Sequence, residues 1–203
     1  MRRAQEKHLR NIVVFFLALL VLVGGYFIFR GVREIDDSQF TYHTVDFTTL
    51  RENGIKRYQF PIYINNAKTP SYVEIRSDPR QLIDIPYDPA VREALIGKPQ
   101  VYITMEKNAT GLSVAAYVEI KKILGNPSLW QINTTGAFTE AVPNYPVKTC
   151  KDTTLTEGVI LLQTEKEMRI VQEDACVILS APTEEELLSV VDKLTLILLN
   201  IDR

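Results

Sequence analysis

No charged side chain interrupts the chain between Asn11 and Arg30, where residues 12–29 read "IVVFFLALLVLVGGYFIF". Only Gly24, Gly25 and Tyr26 break a run of strongly apolar residues. As an α-helix, 18 residues at ~1.5 Å each extend ~27 Å, close to the ~30 Å hydrocarbon core of a bilayer. A soluble helix of this length would carry a polar stripe, and none is present. The pattern predicts an N-terminal transmembrane helix.

Beyond this segment the pattern shortens and begins to alternate. Residues 30–41 are polar and charged and read as a stalk. "VDFTTLRENGIKRYQFPIYI" places two β-prone runs around Asn53-Gly54, a dipeptide suited to the positive φ of a tight hairpin. "SYVEIRS", at 71–77, extends that antiparallel sheet. Asp78-Pro79 and Asp88-Pro89 each set a capping acceptor before a proline, and "DPAVREALIG" reads as a short helix ending at Gly97. "QVYITM" (100–105) is a strand and "LSVAAYVEIKKIL" (112–124) a helix with Leu112, Ala116, Ile120, Ile123 and Leu124 on one face. "LWQINTT" is a further strand, so 100–135 forms a βαβ unit.

After the proline-rich "AVPNYPV", the runs "GVILLQT" and "MRIVQE" flank "EKE" as a hairpin, and "CVILS" is a third strand. Thr183-x-x-Glu186 has the capping-box pattern and opens a last helix running toward Ile201. Its apolar face comprises Leu187, Val190, Val191, Leu194, Ile197, Leu198 and Ile201. The fold class is therefore α/β (α+β), a membrane anchor followed by a mixed-sheet domain over 42–203. No internal repeat or low-complexity tract is present.

Charge sets the orientation. Arg2, Arg3, Lys7 and Arg10 precede the span, whereas Arg30 and Arg33 follow it together with Glu34, Asp36 and Asp37. The positive-inside tendency puts residues 1–11 in the cytoplasm and the bulk of the chain outside. Removal of the tail's four bases and Glu6 from the totals of 23 and 25 leaves 19 basic and 24 acidic residues, a net of −5. A nucleic-acid binder would need a basic face, so that class of partner is not expected. A cleaved signal peptide would have a shorter apolar run and a small-residue exit; only Val23-x-Gly25 resembles one, and more apolar sequence follows it.

Cys150 and Cys176 both fall in the external part, where paired thiols oxidise. A disulfide between them would close a loop of 25 intervening residues and contribute roughly 3–4 kcal/mol in the chain-entropy account. The alternative is two buried free thiols. His43 is the one external imidazole, so neither a metal site nor a nucleophile–histidine pair is expected, and there is no Gly-x-Ser-x-Gly elbow. No cofactor is implied. Glu184, Glu185 and Glu186 oppose the positive end of a helix dipole. Asp78, Arg80, Asp84 and Asp88 read as caps and surface pairs, with Arg76 a partner for Asp78.

The loop "EKNATG" admits two uses. Backbone N–H groups at the start of the following helix could hold an anion with Lys107, Thr110, Gly111 and Ser113. Neither G-x-x-x-x-G-K-[ST] nor G-x-G-x-x-G is present to support this. Outside a membrane, Asn108-Ala109-Thr110 is instead an N-glycosylation acceptor, and Asn133-Thr134-Thr135 is a second. A glycan on Asn108 would obstruct a phosphate pocket.

The order "DFTTL…NG…YQFPIYI", "IRSDPRQLIDIP", "VYITME…GLSVAAYVEIKKILG" and "C…GVILLQT…MRIVQEDACVIL" resembles a set of small single-pass, membrane-anchored archaeal proteins. The resemblance implies an external α/β domain and carries over no activity and no functional residue. The expectation is a non-catalytic cell-envelope protein whose external domain binds or positions another surface component. Two alternatives stand beside it. One is an extracytoplasmic small-ligand or sugar-processing domain using 106–111. The other is a subunit of a larger membrane complex, with Gly24-Gly25 packed on a partner helix. Oligomeric state is left open by the sequence.

Overall fold

The computed structural model describes residue 19 and residues 39–52, 54–64 and 68–202. Apart from Leu19, the expected span over 12–29 lies outside the described residues, as do the tail before it and most of the 30–41 stalk. Among the described residues no helix is long and apolar enough to cross a membrane. Residues Thr41–Arg203 form one compact unit. Its class is the expected mixed α/β, with two sheets and three α-helices.

The first sheet has the order β1-β2-β3-β4, from β1 (Gln39–Tyr42), β2 (Val45–Glu52), β3 (Ile55–Ile62) and β4 (Ser71–Ile75). β2 and β3 form the expected hairpin, pairing Glu52 with Ile55 across a turn in which Gly54 has φ 81°. That left-handed backbone suits a residue without Cβ. Asp78 then caps a short 3-10 turn, Pro79–Gln81, by accepting from the Arg80 N–H. Helix α1 (Val91–Leu95) follows, and Gly97 turns the chain out of it at φ 96°. Its N-cap is Ala90, two residues beyond the expected Asp88.

The second sheet has the order β6-β5-β7-β9-β8, from β5 (Gln100–Met105), β6 (Asn133–Phe138), β7 (Glu157–Thr164), β8 (Arg169–Glu173) and β9 (Cys176–Ala181). β5, helix α2 (Gly111–Leu124) and β6 make the expected βαβ unit with parallel pairing. β6 begins four residues later than the sequence suggests. Gly125–Ile132 wraps the end of α2, with Leu129 N–H bonded to Asn126 O and Ile132 N–H to Leu124 O. Pairing starts only where Asn133 meets Gln100.

One expectation is corrected. β7 and β8 do not pair as a hairpin, because β9 inserts between them, parallel to β7 and antiparallel to β8. Burial explains the order: five of the six residues of "CVILSA" are buried, whereas "RIVQE" has one buried residue. The more apolar strand takes the interior position and the more polar one the edge. Four connecting residues span the two strand spacings, ~10 Å, without strain. The free side of β8 is partly covered, since Asp88 N–H bonds Ile170 O and Ile170 N–H bonds Pro86 O.

Register puts Ile103, Ile160 and Val177 in one row and Met105, Leu162 and Leu179 in the next, all buried. Helix α3 (Glu184–Leu198) contacts β7, β8 and β9 as well as α2. It is buried along nearly its whole length, including Asp192 and Lys193. On the opposite side of the sheet lies the row Tyr102–Val159–Cys176. Cys176 is there bonded to Cys150, the expected disulfide. Lys148 of the same segment lies 4.3 Å from the Tyr102 ring centroid and 2.9 Å from Glu157.

Candidate functional site

The anion-binding arrangement anticipated at the start of α2 has an occupant from within the chain. Glu184, the first residue of α3, accepts from the Thr110 N–H at 2.9 Å, the Ser113 N–H at 3.1 Å and the Thr110 hydroxyl. Burial alone would raise the Glu184 carboxyl, but these bonds outweigh it and hold the group below its usual range. A carboxylate thus meets the positive end of the helix, as an external phosphate would. Gly111 opens the helix, Thr110 caps it, and Lys107 and Asn108 are exposed in the preceding turn. The second acceptor, Asn133, lies at the start of edge strand β6, where its side chain donates to the Gln100 side chain.

A different concavity lies where the first sheet meets the two long helices. It is a cleft of about 230 Å³ lined by Arg57 and Tyr72 to Glu74 from the sheet, by Glu119, Lys122, Ile123 and Asn126 from α2 and its end, and by Asp192 and Thr195 from α3. Most of its charges are matched. Arg57 lies 3.6 Å from Glu74, and Glu119 receives Lys122 at 2.9 Å and Arg76 at 3.0 Å. Burial raises Glu119, yet those two cations leave it below the ordinary carboxylate range. Arg76 is therefore turned to Glu119; the expected partner, Asp78, instead binds Arg80 at 2.6 Å.

Asp192 is the exception. It is 3% exposed, and its Oδ2 accepts from the backbone N–H groups of Ser77 at 2.7 Å and Arg76 at 3.0 Å. No ion pair reaches it among the described residues. Burial is the main reason its carboxyl is pushed up to about 6; the Ser77 and Arg76 groups act against this, and the Glu119 charge adds to it. Thr195, one turn along the same helix, gives its hydroxyl hydrogen to the Val191 carbonyl at 3.1 Å. Its oxygen lone pairs remain available as acceptors.

A second polar group is built on Lys193, the next residue of α3. Lys193 Nζ is 2.8 Å from Asp202 Oδ2, and Asp202 Oδ1 accepts from Tyr42 Oη at 3.1 Å. His43 joins this group. It sits in the β1–β2 turn at φ 51° with Nε2 3.3 Å from Asp202 Oδ1. Burial and the Asp202 charge raise the phenols of Tyr42 and Tyr87. The sequence held one signal for both groups: Asp192-Lys193 interrupts a helix that is otherwise apolar nearly all round, and charges on a buried helix become buried charges.

Among the described residues no group of three or more His, Cys, Asp or Glu side chains is arranged to hold a metal. No protein-family model, curated protein or solved structure matches the chain.

Proposed function

We propose that this is a single-pass, membrane-anchored cell-envelope protein whose external domain binds or positions another surface component without catalysis. The cleft is the seat of that binding. The observation that carries the reading is the matching of charges there. Glu74 and Glu119 are neutralised by Arg57, Lys122 and Arg76, which suits recognition better than proton transfer. The described histidine, His43, lies against the Asp202 carboxylate, and a nucleophilic serine or cysteine would need that imidazole as its base. The disulfide supports an oxidising location. The rival use of 106–111 for a phosphate or sugar is weakened because Glu184 already takes the amides such a ligand would need.

Two measurements test this. A reporter active only outside the cytoplasm is expected to be active when fused after Arg203 and silent when fused before Met1. Cross-linking on intact membranes is expected to yield a partner that is lost with Tyr72→Ala or Lys122→Glu, since both residues line the cleft and are exposed. The reverse reporter pattern, or a partner indifferent to both substitutions, would overturn the proposal.

A further inference from the structure

We infer that the cleft between the first sheet and helices α2 and α3 receives a primary ammonium group of a small ligand, seated on Asp192 Oδ1 and Thr195 Oγ. The inference rests on the binding role proposed above and names its ligand chemistry.

Three observations converge. Asp192 is the lining carboxylate without an ion-pair partner among the described residues, and it lies at the most buried point of the cleft. Asp192 and Thr195 stand three residues apart on α3, hence on one face, and both line the cleft. Each has an oxygen acceptor to offer, because the Thr195 hydrogen is committed to Val191 and the two backbone N–H bonds to Asp192 both fall on Oδ2, with the Ser77 side chain as a further donor to the carboxyl. Two adjacent acceptors favour a group that only donates, and an ammonium has three N–H donors and no lone pair. An anion would meet the Asp192 charge, and a single hydroxyl would supply one donor for two acceptors.

Depth agrees with this assignment. Asp192 and Thr195 are 3% and 5% exposed, whereas Tyr72 is 62% exposed, which places acceptors at the floor and an aromatic ring at the rim. A ring face there can add cation–π attraction. A volume of about 230 Å³ admits an amine carrying a few heavy atoms.

The ionisable groups facing Asp192 from the packed elements are Glu119 and Lys122 of α2, Arg57 and Glu74 of the sheet, and Arg76 after β4. Glu119 is held ionised by its two cations and stays so across the window used below. Asp192, raised by burial to about 6, must ionise for the seat to form.

The test uses the full chain in detergent micelles, with ethylammonium and ethanolamine as probes and ethylene glycol as the neutral control. Binding is followed by ligand-observed NMR and by thermal shift. Saturable binding of both amines is expected at pH 7.5, and none of the glycol. Affinity is expected to fall about tenfold at pH 5, where a carboxyl of pKa about 6 is ~90% protonated. Asp192→Asn keeps an acceptor for the two backbone N–H groups and is expected to lose amine binding. The pH arm needs no variant, so a folding failure of Asp192→Asn leaves the proposal decidable. Equal binding of amine and glycol, or amine binding independent of pH, would overturn it. If amines fail to bind while the membrane partner is still lost with Tyr72→Ala, the ammonium assignment falls and the binding role stands.

Discussion

Lys193 Nζ lies 2.8 Å from Asp202 Oδ2, with the two side chains only 2% and 6% exposed. This pair links the last turns of α3 to the residue next to the end of the chain. Through Tyr42 and His43 it also fixes the β1–β2 turn. The Tyr87 ring lies 5.2 Å from the same ammonium, which completes its surroundings. The second carboxylate oxygen is thereby occupied as well as the first, the condition under which a buried pair is tolerated.

Breaking the pair from one side leaves a buried, uncompensated charge. Asp202→Ala is therefore expected to lower stability by about 3–5 kcal/mol in chemical denaturation. Lys193→Met with Asp202→Ala is expected to recover a large part of that loss, since no charge then remains to be desolvated. A double variant as unstable as the two single losses added together would show that the residues act independently.

Glu184 gives a second prediction. Glu184→Ala removes three acceptor contacts at the start of α2 and is expected to cost about 1–3 kcal/mol. Lys107→Ala, on the exposed turn, is expected to stay within about 0.5 kcal/mol of wild type. With the internal carboxylate gone, inorganic phosphate should stabilise Glu184→Ala in a salt-sensitive way and leave wild type unaffected. Equal stabilisation of both would mean that Glu184 does not fill the anion position.

Asp192 predicts a pH dependence of the opposite sign to that of the paired acids. Its folded carboxyl, near 6, lies above the unfolded value near 4, so between those limits the folded state holds more protons. Its contribution is favourable below the unfolded value and is lost as pH rises through about 6, by on the order of 3 kcal/mol. Asp78, Glu119 and Glu184 are lowered instead, so their stabilisation is present at neutral pH and disappears as pH falls through their folded values. Asp192→Asn should therefore gain stability over wild type progressively from pH 4 to pH 7, measured by urea denaturation at each pH. A constant difference across that range would contradict the assignment.

Local chemistry made much of the fold legible. Gly54 marks the hairpin, Thr183 caps α3 by accepting the Glu186 N–H, and the face of Ala116, Ile120, Ile123 and Leu124 is buried as its period requires. Leu112, placed on the same face, is 41% exposed in the first turn of the helix. Strand order was not legible. Adjacency in sequence favours pairing β7 with β8, whereas the deciding quantity is the apolar burial that β9 gains by going between them. The cleft was equally hidden. Arg57, Glu119 and Asp192 come from three distant segments, and nothing in the sequence brings them together, although Asp192 alone stands out on an apolar helix. Glu184 was correctly read as a helix-start acid, but the helix it serves most directly is α2, more than seventy residues earlier.

The disulfide sits unevenly in the structure: Cys176 is fully buried in β9, whereas Cys150 is half-buried in a short turn. An external thiolate can approach the Cys150 sulfur more readily, and that attack would expel the Cys176 thiolate into an apolar interior. A thiolate there is poorly stabilised and so a poor leaving group. Reduction should then wait until β9 leaves the sheet. The lifetime of the bond in a reducing medium becomes a clock for the opening of the sheet's central strands, and resistance to reductants becomes a property of the whole domain.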